Sequence, residues 1–192
     1  MATEALSVSA TFYVGTALAL LDLSLGRYDE AAERLRGFAR EEDSRGIGEP
    51  AILLWPPDYV EACLRAGHRE EAEAALTVLA RQAERIDRPW RRAVAARCSG
   101  LLAGGDDFEA AFAESLAHHD RTPMPFERAR TELCLGERRR RAGRRVDARG
   151  PLRSALSTFE ALGAAPWAER ARAELRASGR RLRATTRRAP SG

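Results

Sequence analysis

Lysine and asparagine are absent from the 192-residue sequence, so all 32 basic residues are arginine. A phosphate-binding P-loop follows the pattern Gly-x4-Gly-Lys-Ser/Thr, in which the lysine reaches the terminal phosphates. A chain without lysine cannot supply that site. Both missing residue types have A-rich codons, so the bias indicates a GC-rich genome rather than selection for arginine.

Cysteine is scarce as well: the chain contains three, Cys63, Cys98 and Cys134. An odd number without CxxC spacing argues against a disulfide framework and against a zinc site. Cys98 and Cys134 each follow a proline by nine residues, which predicts equivalent buried positions. A reduced, cytoplasmic protein is therefore expected.

Long apolar runs are missing too. The longest candidate, residues 10–21, follows Glu4, lacks a basic leading region and meets Asp22. These features argue against a signal peptide and a membrane span, so we expect a core helix and no membrane partner. No stretch alternates like a strand with β-branched residues, so no sheet is predicted.

The residues that dominate instead are Ala, Leu, Glu and Arg, with only 6% aromatic residues. These are strong helix formers, which predicts an all-α fold. The formal net charge of +4 is unevenly distributed: residues 137–192 carry +11 and residues 1–136 carry −7. Such asymmetry is typical of an interaction tail or of a solvated helical face.

A repeat runs through the chain and is marked by Gly26, Gly67, Gly105 and Gly143, spaced 41, 38 and 38 residues apart. Each glycine is followed four residues later by an acid and then by alanine, in Glu30-Ala31, Glu71-Ala72, Glu109-Ala110 and Asp147-Ala148. Glycine can adopt the left-handed conformation that ends a helix. The acid then faces the positive dipole end of the next helix. Apolar residues follow at helical spacing, as in Ala72, Ala75, Leu76, Leu79, Ala80 and Ala83. The second helix after Gly105 shows a similar stripe of Phe108, Ala111, Phe112, Ser115 and Leu116.

Proline–aromatic steps mark the first helix of these pairs, at Pro89-Trp90, Pro125-Phe126 and Pro166-Trp167. Pro50 holds the corresponding place in the second pair, but Pro56-Pro57 should break or delay that helix. The pattern predicts four helical hairpins and a closing helix over about residues 167–178. Because such units cannot bury their apolar faces alone, they are expected to stack.

Two segments resemble the tetratricopeptide-like region of large ATP-binding LuxR-type (MalT-like) transcriptional regulators of actinobacteria. They are residues 125–143, PFERARTELCLGERRRRAG, and residues 152–179, LRSALSTFEALGAAPWAERARAELRASG. The resemblance extends from about residue 6 to residue 179 and is most specific after Pro125. In that family the region lies between a nucleotide-binding module and a DNA-binding helix-turn-helix. Neither neighbour is expected here, because lysine is absent and residues 180–192 are too few for three helices.

The resemblance and the repeat together predict a tetratricopeptide-like α-solenoid over residues 1–179, followed by a basic disordered tail or linker over residues 180–192. Candidate catalytic groups do not converge in this sequence. His118 and His119 point about 100° apart on a helix and are expected to end it, where cations suit the dipole. Asp106, Asp107 and Glu109 are expected to cap a helix and fill its first turn. No catalytic, cofactor or metal site is predicted, and the chain is not expected to be an enzyme.

Two arginine-rich segments leave alternatives open. Arg138–Arg141, with Arg144 and Arg145, are interpreted as a solvated helix end in preference to a phosphate-binding patch. The tail supplies candidate contacts for nucleic acid or another anion, through weak and salt-sensitive binding, at Arg180, Arg181, Arg183, Arg187 and Arg188. No aromatic residue lies between these tail arginines, so base stacking is not indicated.

The first helix is apolar on more than one face, with Phe12, Tyr13, Val14, Leu18, Leu20, Leu21 and Leu23. A terminal repeat should have a polar outer face, so this helix is predicted to pack against an upstream repeat or a partner. The predicted function is the interaction or effector-sensing module of a LuxR-type regulator. Its expected partners are a protein, neighbouring domains or a small-molecule effector, and sequence-specific DNA binding is not expected. The alternative is a stand-alone scaffold or adaptor unrelated to transcription.

Overall fold

The computed structural model describes residues 2–45, 55–86 and 88–179, and these residues form an all-α fold without strands, as predicted. In chain order the helices are α1 (Ala2–Ser24), α2 (Tyr28–Arg45), α3 (Pro56–Arg65), α4 (Arg69–Arg85), α5 (Pro89–Leu102), α6 (Phe108–His119), α7 (Pro125–Arg141), α8 (Arg145–Ala161) and α9 (Ala165–Gly179). None of the described helices is both long enough and apolar enough to cross a membrane.

Left-handed glycines connect the helices at the predicted positions. Gly26, Gly67, Gly105 and Gly143 all have positive φ, between +48° and +88°. Gly163, between α8 and α9, is a further one that the repeat pattern did not include. At Gly67 the N–H of His68 donates to the carbonyl of Cys63 at 2.8 Å. This bond satisfies a carbonyl at the end of α3, as expected for a glycine-terminated helix.

Proline begins the first helices, since α3, α5 and α7 each carry proline in the first turn. The prediction that Pro56-Pro57 breaks or delays the first helix of the second unit is confirmed, because α3 starts at Pro56. Pro50 lies outside the described residues. A proline at the start of a helix loses no internal hydrogen bond, so these positions fix the first turn without cost to the helix.

The second helices bury the predicted apolar stripe, with one correction. Ala31, Ala72 and Ala148 are fully buried, but Ala110 is exposed. Helix α6 begins three residues after Gly105, whereas the other second helices begin two residues after their glycine. The buried side chains of α6 include Phe108, Phe112 and Ser115, at the helical spacing that the sequence predicted. The repeat match at Ala110 was therefore wrong in register.

Neighbouring helices in the chain pack against each other throughout. The first helices α1, α3, α5, α7 and α9 also contact one another in succession, and α1 contacts α9. A continuous apolar core runs from Ala19 in α1 to Ala171 in α9. A smaller cluster joins α5, α6 and α7 through Leu101, Phe108, Phe112, Cys134 and Leu135. The layer of first helices thus brings the side chains of α3, α5, α7 and α9 together.

Candidate functional site

Charged side chains meet where α3, α5, α7 and α9 converge. We call this set the ion-pair cluster. It contains four acids and four arginines: Asp58, Glu61, Glu127, Glu137, Arg65, Arg97, Arg130 and Arg170. Its members are almost inaccessible to solvent, as shown by Arg130 and Glu61, whose exposed fraction is 1%. Equal numbers of acids and bases leave the cluster neutral as a whole.

Arg130 of α7 is the centre of the cluster. Its Nη1 donates to Asp58 Oδ1 at 2.6 Å, and its Nη2 donates to Glu61 Oε2 at 2.9 Å. Glu127, one turn earlier on α7, accepts from Arg130 at 3.3 Å and from Arg97 Nη1 of α5 at 2.7 Å. These bonds link α7 to both α3 and α5.

A second group of bonds links α9 to the cluster. Glu61 accepts from Arg65 Nε at 2.8 Å and from Arg170 Nη2 at 3.1 Å. Glu137 accepts from the same two arginines, at 2.6 Å from Arg65 and 2.8 Å from Arg170. The guanidinium groups of Arg130 and Arg170 both lie over the ring of Trp167, at 4.8 and 5.3 Å from its centroid. Charge and aromatic contact therefore hold α9 on α3 and α7.

The arginines keep most of the cluster's carboxyl groups ionised. Burial acts to raise the pKa of Glu127 and Glu137, but the neighbouring guanidinium groups outweigh it and lower both pKa values to about 2. The pKa of Glu61 falls well below its ordinary value for the same reason. Asp58 differs, because burial outweighs its contact with Arg130 and raises its pKa to about 6. Each carboxylate binds arginines of the cluster and cannot be reached by a substrate. The cluster therefore stabilises the packing of these helices.

A smaller polar cluster lies between α6 and α7. His119 Nε2 is 3.1 Å from Thr131 Oγ1, which itself donates to the carbonyl of Glu127. Ser115 donates to the carbonyl of Ala93 at 2.7 Å and is fully buried. Burial lowers the pKa of His119 to about 4, so the side chain is neutral. The histidines do end α6, but the prediction that His119 supplies a cation to the helix dipole is wrong.

The run Arg138–Arg141 is a solvated helix end, as the sequence suggested, only at Arg141, which is 48% exposed. The other three arginines are bound to other parts of the chain. Arg138 donates to the carbonyl of Ala103 at 2.7 Å and lies over the ring of Phe108. The next two arginines bind acids of other helices, since Arg139 binds Glu109 of α6 and Arg140 binds Glu174 of α9. Successive arginines on a helix point in different directions, so each one reaches a different neighbour.

The acids after Gly105 also depart from expectation. Asp107 occupies the residue before α6 but makes no capping hydrogen bond with its side chain. Glu109 lies in the first turn as predicted. It accepts from Arg139 at 2.7 Å and from Arg144 at 2.7 Å. Its role is therefore an ion pair between α6 and the end of α7, in addition to its favourable place at the helix start.

Residues 127–133 (ERARTEL) and 169–175 (ERARAEL) are nearly identical in sequence. The two segments share an apolar face, but their arginines differ in environment. Ala129 and Ala171 are both buried at equivalent positions. Arg130 belongs to the ion-pair cluster, whereas its counterpart Arg172 is 40% exposed and binds Glu160 and Glu169. The cluster was not predicted from the sequence, because acids and arginines on a helix are normally exposed. One signal for the cluster was present in the sequence. On the helices that begin with proline, charged residues occur at the spacing expected of core residues.

The thiols and the potential metal ligands show no reactive arrangement. Cys63, Cys98 and Cys134 are free and buried, as predicted for the last two. Burial raises the pKa of Cys98 to about 12 and that of Cys134 to about 11, so both stay protonated and are poor nucleophiles. Within the part of the chain that the structure describes, no group of three His, Cys, Asp or Glu side chains could hold a metal ion.

The candidate interaction surface is the outer side of α1. Every exposed side chain from residue 12 to residue 25 is apolar. We call this set the α1 face: Tyr13, Val14, Ala17, Leu18, Leu21 and Leu25, of which Tyr13 and Val14 are 57% and 58% exposed. The one charged residue in this stretch, Asp22, is buried and binds Arg27 and Arg34. A continuous apolar surface of this kind is typical of a binding site.

The tail arginines that the sequence proposed as anion contacts, Arg180, Arg181, Arg183, Arg187 and Arg188, lie outside the described residues. Comparison with known proteins gives no match to any protein-family model, curated protein or solved structure.

Proposed function

We propose that this chain is the helical-repeat interaction module of a LuxR-type transcriptional regulator. The observation that carries the proposal is the recurring helix pair, in which a left-handed glycine lies in the turn between the two helices, in segments whose sequence resembles the repeat region of those regulators. In this proposal the helices form a tetratricopeptide-like α-solenoid. Support comes from the packing of chain neighbours and from the continuous layer of first helices.

Binding is favoured over catalysis because the converging polar groups are buried and bind one another. In a solenoid the inner side of the first helices often receives a ligand. Here the ion-pair cluster fills the space between α3, α7 and α9, so we place the binding surface elsewhere. Among the described residues, the α1 face is the apolar part of a surface that is otherwise mostly charged. A protein partner suits it best, and a cytoplasmic location agrees with three protonated thiols.

The test of the regulatory role is the DNA on both sides of the reading frame. We expect an ATP-binding segment to be encoded upstream and a helix-turn-helix downstream, either in frame or after a frameshift. Unrelated flanking genes would contradict the regulatory role. They would favour a stand-alone scaffold or adaptor, for which the α1 face alone is sufficient.

A further inference from the structure

We propose that the α1 face is a self-association surface, through which two copies of this chain pair about a two-fold axis. The proposal names the partner at the candidate interaction surface. It therefore rests on the binding part of the proposed function and not on the regulatory part. Three observations support it: the place of the face in the repeat, its lack of charge, and the absence of a second apolar surface among the described residues.

In other first helices of the repeat, the positions equivalent to the α1 face are covered. When α1 and α7 are aligned on Gly26 and Gly143, the exposed residues Val14, Ala17 and Leu18 correspond to Thr131, Cys134 and Leu135, which are all buried. Alignment on Gly26 and Gly67 gives the same result for α3, where the counterparts of these α1 residues are the buried Trp55, Asp58 and Tyr59. First helices in the interior of the chain thus bury two faces, and α1 buries one.

In α7 the covering element is the preceding helix pair. Cys134 and Leu135 pack in one apolar cluster with Leu101 of α5 and with Phe108 and Phe112 of α6. The equivalent surface of α1 has no helix pair against it among the described residues. Its side chains are larger and more apolar than a solvent-exposed helix requires, which indicates that another helix covers it.

The rest of the described surface indicates which molecule covers the α1 face. The other large apolar side chains exposed in the described residues are single ones: Val78 on α4, and Val146 and Leu162 at opposite ends of α8. None of them forms a patch that could receive the α1 face of another copy. Among the described residues, the α1 face is therefore the one apolar surface that a second copy offers, and pairing of identical surfaces produces two-fold symmetry. Because the α1 face is uncharged, such pairing brings no like charges together.

The size of the surface is sufficient for a weak dimer. Two copies paired through α1 would bury on the order of 1,000 Å² in total, which is about the lower limit for a specific interface. We therefore expect a dimer that dissociates on dilution. Leu18 lies near the middle of the α1 face, between Tyr13 and Leu25. In an antiparallel pair it is close to the two-fold axis and to its own symmetry copy.

The position of Leu18 provides a sharp test with the full chain. Leu18→Glu places two carboxylates together at the axis, and Leu18→Arg places two guanidinium groups there. Leu18 is already 41% exposed, so the fold should tolerate both changes, and circular dichroism checks this. Each variant alone should weaken the dimer by at least about tenfold in dissociation constant. An equimolar mixture should restore the dimer, because opposite charges then meet. Val78→Glu is the matched control, since Val78 is similarly exposed at 52%.

Sedimentation velocity and light scattering over a concentration series measure these outcomes. We expect a wild-type dimer that dissociates on dilution, monomers for the two Leu18 variants, a dimer for their mixture and a dimer for Val78→Glu. A wild-type monomer at submillimolar concentration would overturn the proposal in favour of a helix pair from another chain. Equal loss in Val78→Glu, or no recovery in the mixture, would overturn it as well. The flanking-gene test of the regulatory role is independent of each of these results.

Discussion

At the scale of single residues, burial decides what a charged side chain does in this molecule. Arg130 and Arg172 occupy equivalent places in two nearly identical sequence segments, but one is enclosed by three acids and the other lies at the surface. A buried ion pair contributes little net stability when complete, because desolvation offsets the attraction. Loss of one member is costly, since the remaining charges stay buried without a partner.

Replacement of Arg130 by methionine should therefore destabilise the fold strongly. The substitution retains an apolar stem beside Trp167 but leaves Asp58, Glu61 and Glu127 with one counter-charge fewer. We expect a loss of about 3–5 kcal/mol in the free energy of unfolding, measured by urea denaturation. The control is Arg172→Met, which changes the counterpart residue and should leave the midpoint nearly unchanged. Similar losses in both variants would contradict the role assigned to the ion-pair cluster.

His119 should make stability depend on pH in a defined direction. Burial lowers its pKa from 6.5 to about 4 in the fold, so between these values the unfolded chain binds more protons than the native chain. Stability from this residue is complete above pH 6.5 and is lost as the pH falls towards 4. The full effect is about 3 kcal/mol.

Comparison with His119→Leu isolates this effect. The wild type minus the variant should show a falling difference in unfolding free energy from pH 6.5 to pH 4. The comparison is necessary because Asp58, whose pKa is raised to about 6, acts in the opposite direction: its contribution improves as the pH falls through 6. His68→Gln, at an exposed histidine, is the control and should retain the wild-type profile. A parallel profile for His119→Leu would refute the assignment.

At the scale of helices, local signals predicted most of the fold. Glycine spacing placed the turns and proline placed the starts of α3, α5 and α7, because both residues act through the backbone of their own segment. At α6 two local signals disagreed. The glycine–acid–alanine match pointed to Ala110, which is exposed, whereas residues at helical spacing pointed to Phe108, Phe112 and Ser115, which are buried.

Gly143 offers a test of the turn assignment. Its φ of +81° is unfavourable for any residue with a Cβ atom, so Gly143→Ala should destabilise the fold by about 1–2 kcal/mol. Gly37→Ala in the middle of α2 is the matched control, because a Cβ there meets nothing within 4 Å. It should be neutral or stabilise by up to about 1 kcal/mol. Thermal unfolding of the two variants measures the difference, and only Gly143→Ala is expected to lower the midpoint.

The ion-pair cluster could not be predicted from the sequence, because its members lie far apart in the chain. Arg170 and Glu61 are 109 residues apart in the chain and meet at 3.1 Å. No local period links them, and each side chain by itself is typical of an exposed helix. The α1 face was predicted because its signal is local: apolar residues crowd more than one side of a single helix.

At the scale of the whole molecule, the ion pairs within the chain determine how much of the arginine charge is available to bind another molecule. Arg138, Arg139 and Arg140 are bound to a carbonyl or to carboxylates of other helices. Glu109 and Glu174 balance the charges of Arg139 and Arg140, and the carbonyl of Ala103 and the ring of Phe108 hold Arg138, so the basic run of α7 is a poor surface for phosphate. The excess charge of the sequence lies after Gly179, where five arginines occur among residues 180–192 without a single acid.

Any affinity of this chain for nucleic acid should therefore depend on residues 180–192. Filter binding of a DNA duplex at increasing salt measures the number of phosphates neutralised, and up to five arginines predict a logarithmic slope no steeper than about −4.5. A chain ending at Gly179 should lose both the binding and the slope. The matched control replaces Arg144 and Arg145 by glutamine in the full-length chain and should keep them, because the charge responsible lies in the tail. Binding that persists after truncation would place the phosphate contacts on the helices and contradict the balance of charge described for α7.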